Sequence, residues 1–321
     1  MKNGLAVILS LLVSKLVFAN VTLQDLDKNF CPYTVEQSGP NLYTFELLHA
    51  KSLYGDFFIQ RRMSENHRIS LLTTPKKTIQ LASWIGRIKD FTVVNESIFI
   101  LTNDFLIELD HKANFLDKFA LPKSNQYKSL GLSFHESDYS IYIARGKRGI
   151  LRFELNTRTF GTNYAINTVN QSGHLSSAVS VASEGDLLYV AMTGQSEKGF
   201  NGVTVFNTKT QSIENLAEYN KRRSGVVSPD ARIYINDAKV FINNMGWIHE
   251  LTINQIQTSS TVRPTWRAIP LRQGNHQQYI MLKGDFIFED NQIMGCGRYR
   301  TPDDKYFGKA FAFPYLLFSF L

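Results

Sequence analysis

The residues that could do chemistry are thinly spread. Seven histidines, His49, His67, His111, His135, His174, His249 and His276, occur singly. None forms an HExxH, HxH or HxxxH pair, so no two are spaced to ligate a metal together. No GxSxG elbow, P-loop or GxGxxG after a strand is present. Gly295-Cys296-Gly297 offers a thiol that reads as a disulfide half or a core thiol rather than a nucleophile. His249, inside Trp247-Ile248-His249-Glu250, reads as an ordinary strand histidine. No catalytic residue, metal or cofactor is expected. What does cluster is positive charge: Arg145-Gly146-Lys147-Arg148 and Lys221-Arg222-Arg223. Cations at that density attract anions, and indoles such as Trp84 and Trp266 add faces for stacking on planar groups.

The elements that must position these residues are short. The chain has 321 residues, 43% hydrophobic and 20% charged, with net charge +7. That composition excludes wholesale disorder, collagen-like repeats and a disulfide-dense miniprotein. Lys2, the apolar stretch Gly4 to Val13 and Val17-Phe18-Ala19 read as a secretory signal peptide over residues 1–19, cleaved after Ala19. Lys15 interrupts the apolar run, which argues against a membrane anchor, and Phe311 to Leu321 is too short to span a membrane as a helix. The expected localisation is secreted, extracellular or, in a bacterium, periplasmic. In an oxidising compartment Cys31 and Cys296 could form one disulfide staple, the alternative being two buried thiols. Asn20, Asn95 and Asn170 open N-glycosylation sequons, which matter only in a host that glycosylates exported proteins.

Beyond the signal there is no long 3.6-residue period, only short apolar runs with polar punctuation, which argues an all-β chain. One run type recurs with anchors at Phe57, Ile98, Ile141, Leu188, Val240 and Ile293, spaced 41, 43, 47, 52 and 53 residues apart. Each is followed by a second run, and four of the six second runs open with glycine, which suits a tight turn between adjacent strands. Repeats of this length predict a six-bladed β-propeller with four-stranded blades, a single domain over residues 20–321. A pair of β-sandwiches would need a linker near the middle, yet residues 145–165 are dense strand pattern.

In such a ring the strands of a blade run A to D from the axis outward. The B–C and D–A loops then share one face, and the A–B and C–D loops the other. Assigning the anchor run to strand B places eighteen Lys and Arg against six Asp and Glu on the first face, roughly +12. Trp84, Tyr127, Tyr219, Trp266 and Tyr299 map to the same face, as do Arg263 and Arg267. The opposite face carries seven Lys and Arg against nine acids, roughly −2. Asp90, Asp230 and Asp285 could serve as axial metal ligands but are more simply turn residues.

Several segments carry a family likeness: Asp56 to Arg62, Ile98 to Leu101, Leu106 to Asp110 leading to Phe119-Ala120-Leu121-Pro122, Ile141 to Ala144, Gly149 to Leu155, and Ile293 to Arg298. In their order the chain resembles the yellow / major royal jelly protein family of secreted six-bladed propellers. It departs where the family has Trp and Asp after the second-blade strand, here Leu101-Thr102-Asn103, and where an aspartate follows the third-blade strand, here Arg145. The resemblance implies the fold and secretion. The family's binding of small aromatic amines does not transfer to a basic face residue by residue.

The function expected is that of a secreted, non-enzymatic binding propeller. Its contacts would be Arg145, Lys147, Arg148, Lys221, Arg222 and Arg223, with Trp84 and Trp266 stacking, and its partner an anionic or planar small molecule, or a protein. Nucleic acid is not expected, because the chain has no recognition module and carries an export signal. The alternatives are a channel-sited lactone hydrolase or isomerase, and a protein-interaction scaffold.

Overall fold

A computed structural model describes residues 33–35, 44–52, 55–63, 68–123, 130–166, 176–194, 199–219, 227–228, 230–244, 247–258, 266–270, 281–289, 292–300 and 306–314. Residues 1–19, read from the sequence as a signal peptide, Cys31 and Lys221 to Arg223 lie outside these residues. The architecture is all-β: six four-stranded antiparallel sheets arranged as a six-bladed β-propeller.

Blade 1 is β1's successor set: β2 (Thr44–Ser52), β3 (Gly55–Met63), β4 (Arg68–Thr73) and β5 (Thr78–Gln80), where β1 is Tyr33–Val35. Blade 2 is β6 (Asp90–Val94), β7 (Ser97–Leu101), β8 (Phe105–Asp110) and β9 (Phe115–Ala120). Blade 3 is β10 (Gly131–His135), β11 (Ser140–Ala144), β12 (Ile150–Glu154) and β13 (Thr159–Tyr164). Blade 4 is β14 (Ser176–Glu184), β15 (Leu187–Gly194), β16 (Gly202–Asn207) and β17 (Ser212–Glu218). Blade 5 is β18 (Arg232–Asn236), β19 (Lys239–Asn244), β20 (Trp247–Thr252) and β21 (Arg267–Pro270), with the short helix α1 (Ile253–Thr258) before its outer strand. Blade 6 is β22 (Met281–Glu289), β23 (Gln292–Arg300), β24 (Tyr306–Pro314) and, outermost, β1.

All six sequence anchors fall on second strands, and the runs that follow them fall on third strands. The reason those runs are continuously apolar is geometric. A second strand is covered on both faces by neighbouring blades, so both of its alternating side-chain rows are buried. On β7, Ile98 and Ile100 pack toward blade 1 with Phe57, Ile59 and Leu72, while Phe99 and Leu101 pack toward blade 3 with Ile141, Ile143 and Phe153. The core is therefore a series of layers between blades. Two further layers join blades 3 and 4 around Tyr142 and Val190, and blades 4 and 5 around Tyr189 and Ile242. The outer strand β9, by contrast, is mostly exposed.

Hairpin turns close the first two strands of blades 2 to 5. Asp237 and Ala238 both take positive φ, 48° and 55°, between β18 and β19, as a two-residue type I′ connection requires. Ring closure uses both ends of the chain. β1 pairs antiparallel with β24, Thr34 opposite Phe307, so an N-terminal strand completes the last blade. The inner strands of blades 1 and 6 meet in a parallel bridge, Leu47 opposite Gly284. Cys296 is buried on β23 opposite Ala310. Among the described residues no helix is long and apolar enough to cross a membrane.

Candidate functional site

Two places concentrate charge: the propeller axis, and one turn on the face of the B–C and D–A loops. At the axis, innermost strands from three blades bring together Asp90 at the start of β6, Arg232 at the start of β18 and Asp285 on β22. All three are buried. Arg232 Nη1 lies 3.2 Å from Asp90 Oδ2, and Arg232 Nε lies 3.7 Å from Asp285 Oδ1. It also donates to main-chain oxygens, from Nη1 to Leu130 O at 3.1 Å and from Nη2 to Lys89 O at 2.6 Å. Asp90 accepts from Leu132 N at 2.9 Å, and Asp285 accepts from His49 N at 2.6 Å. Ile233 N donates to Ser180 Oγ at 3.3 Å. Through these few bonds every blade is tied to the axis.

Two carboxylates share one guanidinium here, which leaves a surplus negative charge in a buried place. Burial, aided by Asp285, pushes Asp90 up to about 6 against the opposing pull of Arg232 and the main-chain donors. Burial opposes the charge on Arg232, but the combined attraction of Asp90 and Asp285 holds it above its ordinary value. The two axial carboxylates are thus already committed to a protein cation. Asp230 is an exposed turn residue whose N–H donates to Ser228 Oγ at 3.2 Å, and its charge adds to the attraction on Arg232. Among the described residues no group of three or more His, Cys, Asp or Glu is placed to hold a metal.

The second place is the turn between β11 and β12. Arg145 N donates to Gly149 O at 2.8 Å, Arg148 N to Arg145 O at 3.2 Å and Gly149 N to Gly146 O at 3.0 Å. Gly146 also exchanges bonds with Ala178 of blade 4, and Asn163 Nδ2 donates to Arg148 O at 2.7 Å, so the turn is fixed from two sides. Gly149 is required by the backbone, with φ +83°. From this turn two guanidiniums reach consecutive carbonyls at the exit of blade 2. Arg145 Nη2 donates to Pro122 O at 2.9 Å, and Arg148 Nη1 to Lys123 O at 3.4 Å. Arg145 is only 3% exposed, and its Nε is buried with no hydrogen-bond partner. Burial and the charge of Arg148 push its pKa down. Lys123 and Arg148 are exposed and Lys147 is half-buried at the rim.

The structure thus brings Arg145, Lys147 and Arg148 together and sets Lys123 beside them. Trp84, 52% exposed, stands on the outer wall of the ring. It meets Phe115 edge-on at 5.4 Å, and Lys118 Nζ lies 5.7 Å over its ring. Trp266 corrects the sequence reading: it is not a surface stacking platform. It is 9% exposed, packs edge-on against Tyr219 at 4.6 Å and donates Nε1 to Glu218 O at 3.2 Å, in the layer between blades 4 and 5. An outer strand leans on the preceding blade, which hides the indole. Arg267 also leaves the basic face. It opens β21 at the C–D end, opposite Glu250, with Nη1 3.4 Å from Glu250 Oε2.

Elsewhere, His135 Nδ1 is 2.7 Å from Asp138 Oδ1, a pairing that resembles a catalytic dyad. Asp138 Oδ2 also accepts from Tyr142 OH at 2.7 Å and faces Arg152 Nε at 3.2 Å, and His135 is fully buried. No substrate reaches that imidazole, so the cluster braces a loop of blade 3. A cleft of ≈ 110 Å³ on the opposite face is lined by Phe57, Thr74, Pro75, Lys76, Glu96 and His111.

His249 is 1% exposed, its ring tilted 44° against Tyr219 at 4.8 Å, and burial pushes its pKa down to about 4. Its folded pKa lies below the unfolded value, so the unfolded chain binds more protons between the two. Stability is therefore lost as pH falls from about 6.5 toward 4. Replacing His249 with Leu is expected to remove about 2 kcal/mol of the stability change between pH 7.5 and pH 5. Urea unfolding of both proteins at the two pH values checks this, and an unchanged difference would place the acid sensitivity elsewhere.

The fold and site together define a six-bladed β-propeller with an ionically sealed axis and a cationic turn on one face. Comparison with protein-family models finds no match, and comparison with curated proteins finds none either.

Proposed function

We propose that the protein is a secreted, non-enzymatic binding propeller that engages an anionic ligand on the face of the B–C and D–A loops. One observation carries this reading: Arg145 and Arg148 are held side by side on consecutive carbonyls, and neither has a carboxylate partner among the described residues. Uncompensated like charges at a fixed turn attract anions over a distance of about a Debye length. The axial alternative loses support, because its carboxylates already neutralise Arg232. Lys221, Arg222 and Arg223, which fall in the sequence between β17 and β18 and lie outside the described residues, belong to the same reading, as does export by way of residues 1–19. A Cys31–Cys296 staple would reinforce closure of blade 6.

The test uses the chain from Asn20 onward and heparin as a polyanionic probe. Reversing Lys123 and Arg148 to Glu is expected to weaken binding by about tenfold at low salt and to flatten its salt dependence. Unchanged affinity and slope would remove this face as the binding surface.

A further inference from the structure

We infer that Arg145 and Arg148 form a two-guanidinium clamp for a single oxyanion, a carboxylate or phosphate group projecting from the ligand. The inference rests on the proposed function and names the chemical group that the face receives. Both side chains spring from one rigid turn and end on neighbouring carbonyls, Pro122 O and Lys123 O. A fold gains nothing by holding two like charges together, and the arrangement becomes favourable when an anion lies between them.

The inner member makes the argument sharper. Arg145 is almost wholly buried, yet among the described residues none of its contacts is acidic and its Nε proton has no acceptor. Buried charges are ordinarily paired, and an unpaired one marks a place where a counter-charge belongs. Arg152 and Arg158 of the same blade show the ordinary pattern. The first lies 3.2 Å from Asp138 and from Glu154, and the second contacts Glu108 at 2.5 Å and Asp117 at 3.2 Å. The lack of a carboxylate at Arg145 is therefore particular to this turn. Arginine also offers a planar fork suited to oxyanions, which a lysine pair would not. Lys123 and Lys147 at the rim add long-range attraction.

The experiment follows the arginine Nε–Hε signals of the mature protein by NMR, with acetate, methyl phosphate and chloride added separately at constant ionic strength. The Arg145 and Arg148 signals are expected to shift saturably with acetate, methyl phosphate or both, and not with chloride. The stronger of the two identifies the group. Arg148→Gln, at an exposed position, is expected to weaken that response at least tenfold while the thermal midpoint holds. Arg145→Lys keeps the charge without the fork and is expected to weaken it as well. If neither anion moves these signals while heparin binding persists, the clamp falls and the binding face stands. If heparin binding is also absent, both fall.

Discussion

Replacing Arg232 with Met is expected to destabilise the protein by about 3–5 kcal/mol, because it strands two buried carboxylates without their cation. That is a large part of the stability of an ordinary folded domain. The main-chain oxygens of Lys89 and Leu130 would lose their donors as well. The measurement is a urea unfolding midpoint at neutral pH. A companion variant that also carries Asp90→Asn and Asp285→Asn removes the stranded charge, and should recover about 1 kcal/mol or more relative to the single change. A single variant within about 1 kcal/mol of the parent would show that Arg232 is not the hub of the axis.

Gly149→Ala should also be strongly damaging. At φ +83° a Cβ would lie 2.1 Å from Tyr164 O and 2.8 Å from Ile166 N. Both obstacles are backbone, so they cannot swing aside, and the turn itself would have to move. A loss on the order of 3 kcal/mol is expected, with displacement of Arg145 and Arg148 from the carbonyls they contact. Gly185→Ala is the control. It also has positive φ, +59°, but nothing lies within 4 Å of its added Cβ, so only conformational strain of about 1 kcal/mol is expected. Thermal unfolding of the two variants, with heparin titration of each, separates steric damage from strain. Equal effects at the two positions would refute the steric argument.

Much of the architecture could be read in the chain because strand burial leaves a plain mark. Runs such as Ile98-Phe99-Ile100 and Ile141-Tyr142-Ile143 are apolar on both rows, as strands sandwiched between two blades must be. The face assignment of loops followed from strand order alone, and it held for Lys123, Lys147 and Arg148 and for the acidic turns around Asp110, Asp186 and Asp237. It failed at Arg267 and Trp266, because α1 lengthens the C–D connection of blade 5 and moves the outer strand further along the chain.

The axial cluster was legible only in part: Asp90 and Asp285 stood out as possible axial ligands but read more simply as turn residues, whereas they are buried strand residues paired with Arg232. Arg232 opens an apolar strand, which is a faint signal by itself. Its partners Asp90 and Asp285 come from other blades, and their meeting depends on ring curvature rather than on spacing in the chain. The burial of Arg145 was hidden for a similar reason: its cover comes from the exit of blade 2, while the cation count treated it as one more loop charge. β1 left no mark either, since Tyr33-Thr34-Val35 is too short to register as a strand without knowledge of β24.

The pairing of β1 with β24 also dictates when the molecule can be finished. Among the described strands, the one synthesised first is seated last, against a partner about 270 positions downstream. A nascent polypeptide can assemble the middle blades, but it remains an open arc. Only a complete chain can shut the circle, so truncation at either terminus should act as a folding defect of the whole object rather than the loss of one piece. That late step also brings the two ends of the fold into one sheet, so a label or tether fused beyond β24 would emerge beside the strand with which the molecule began.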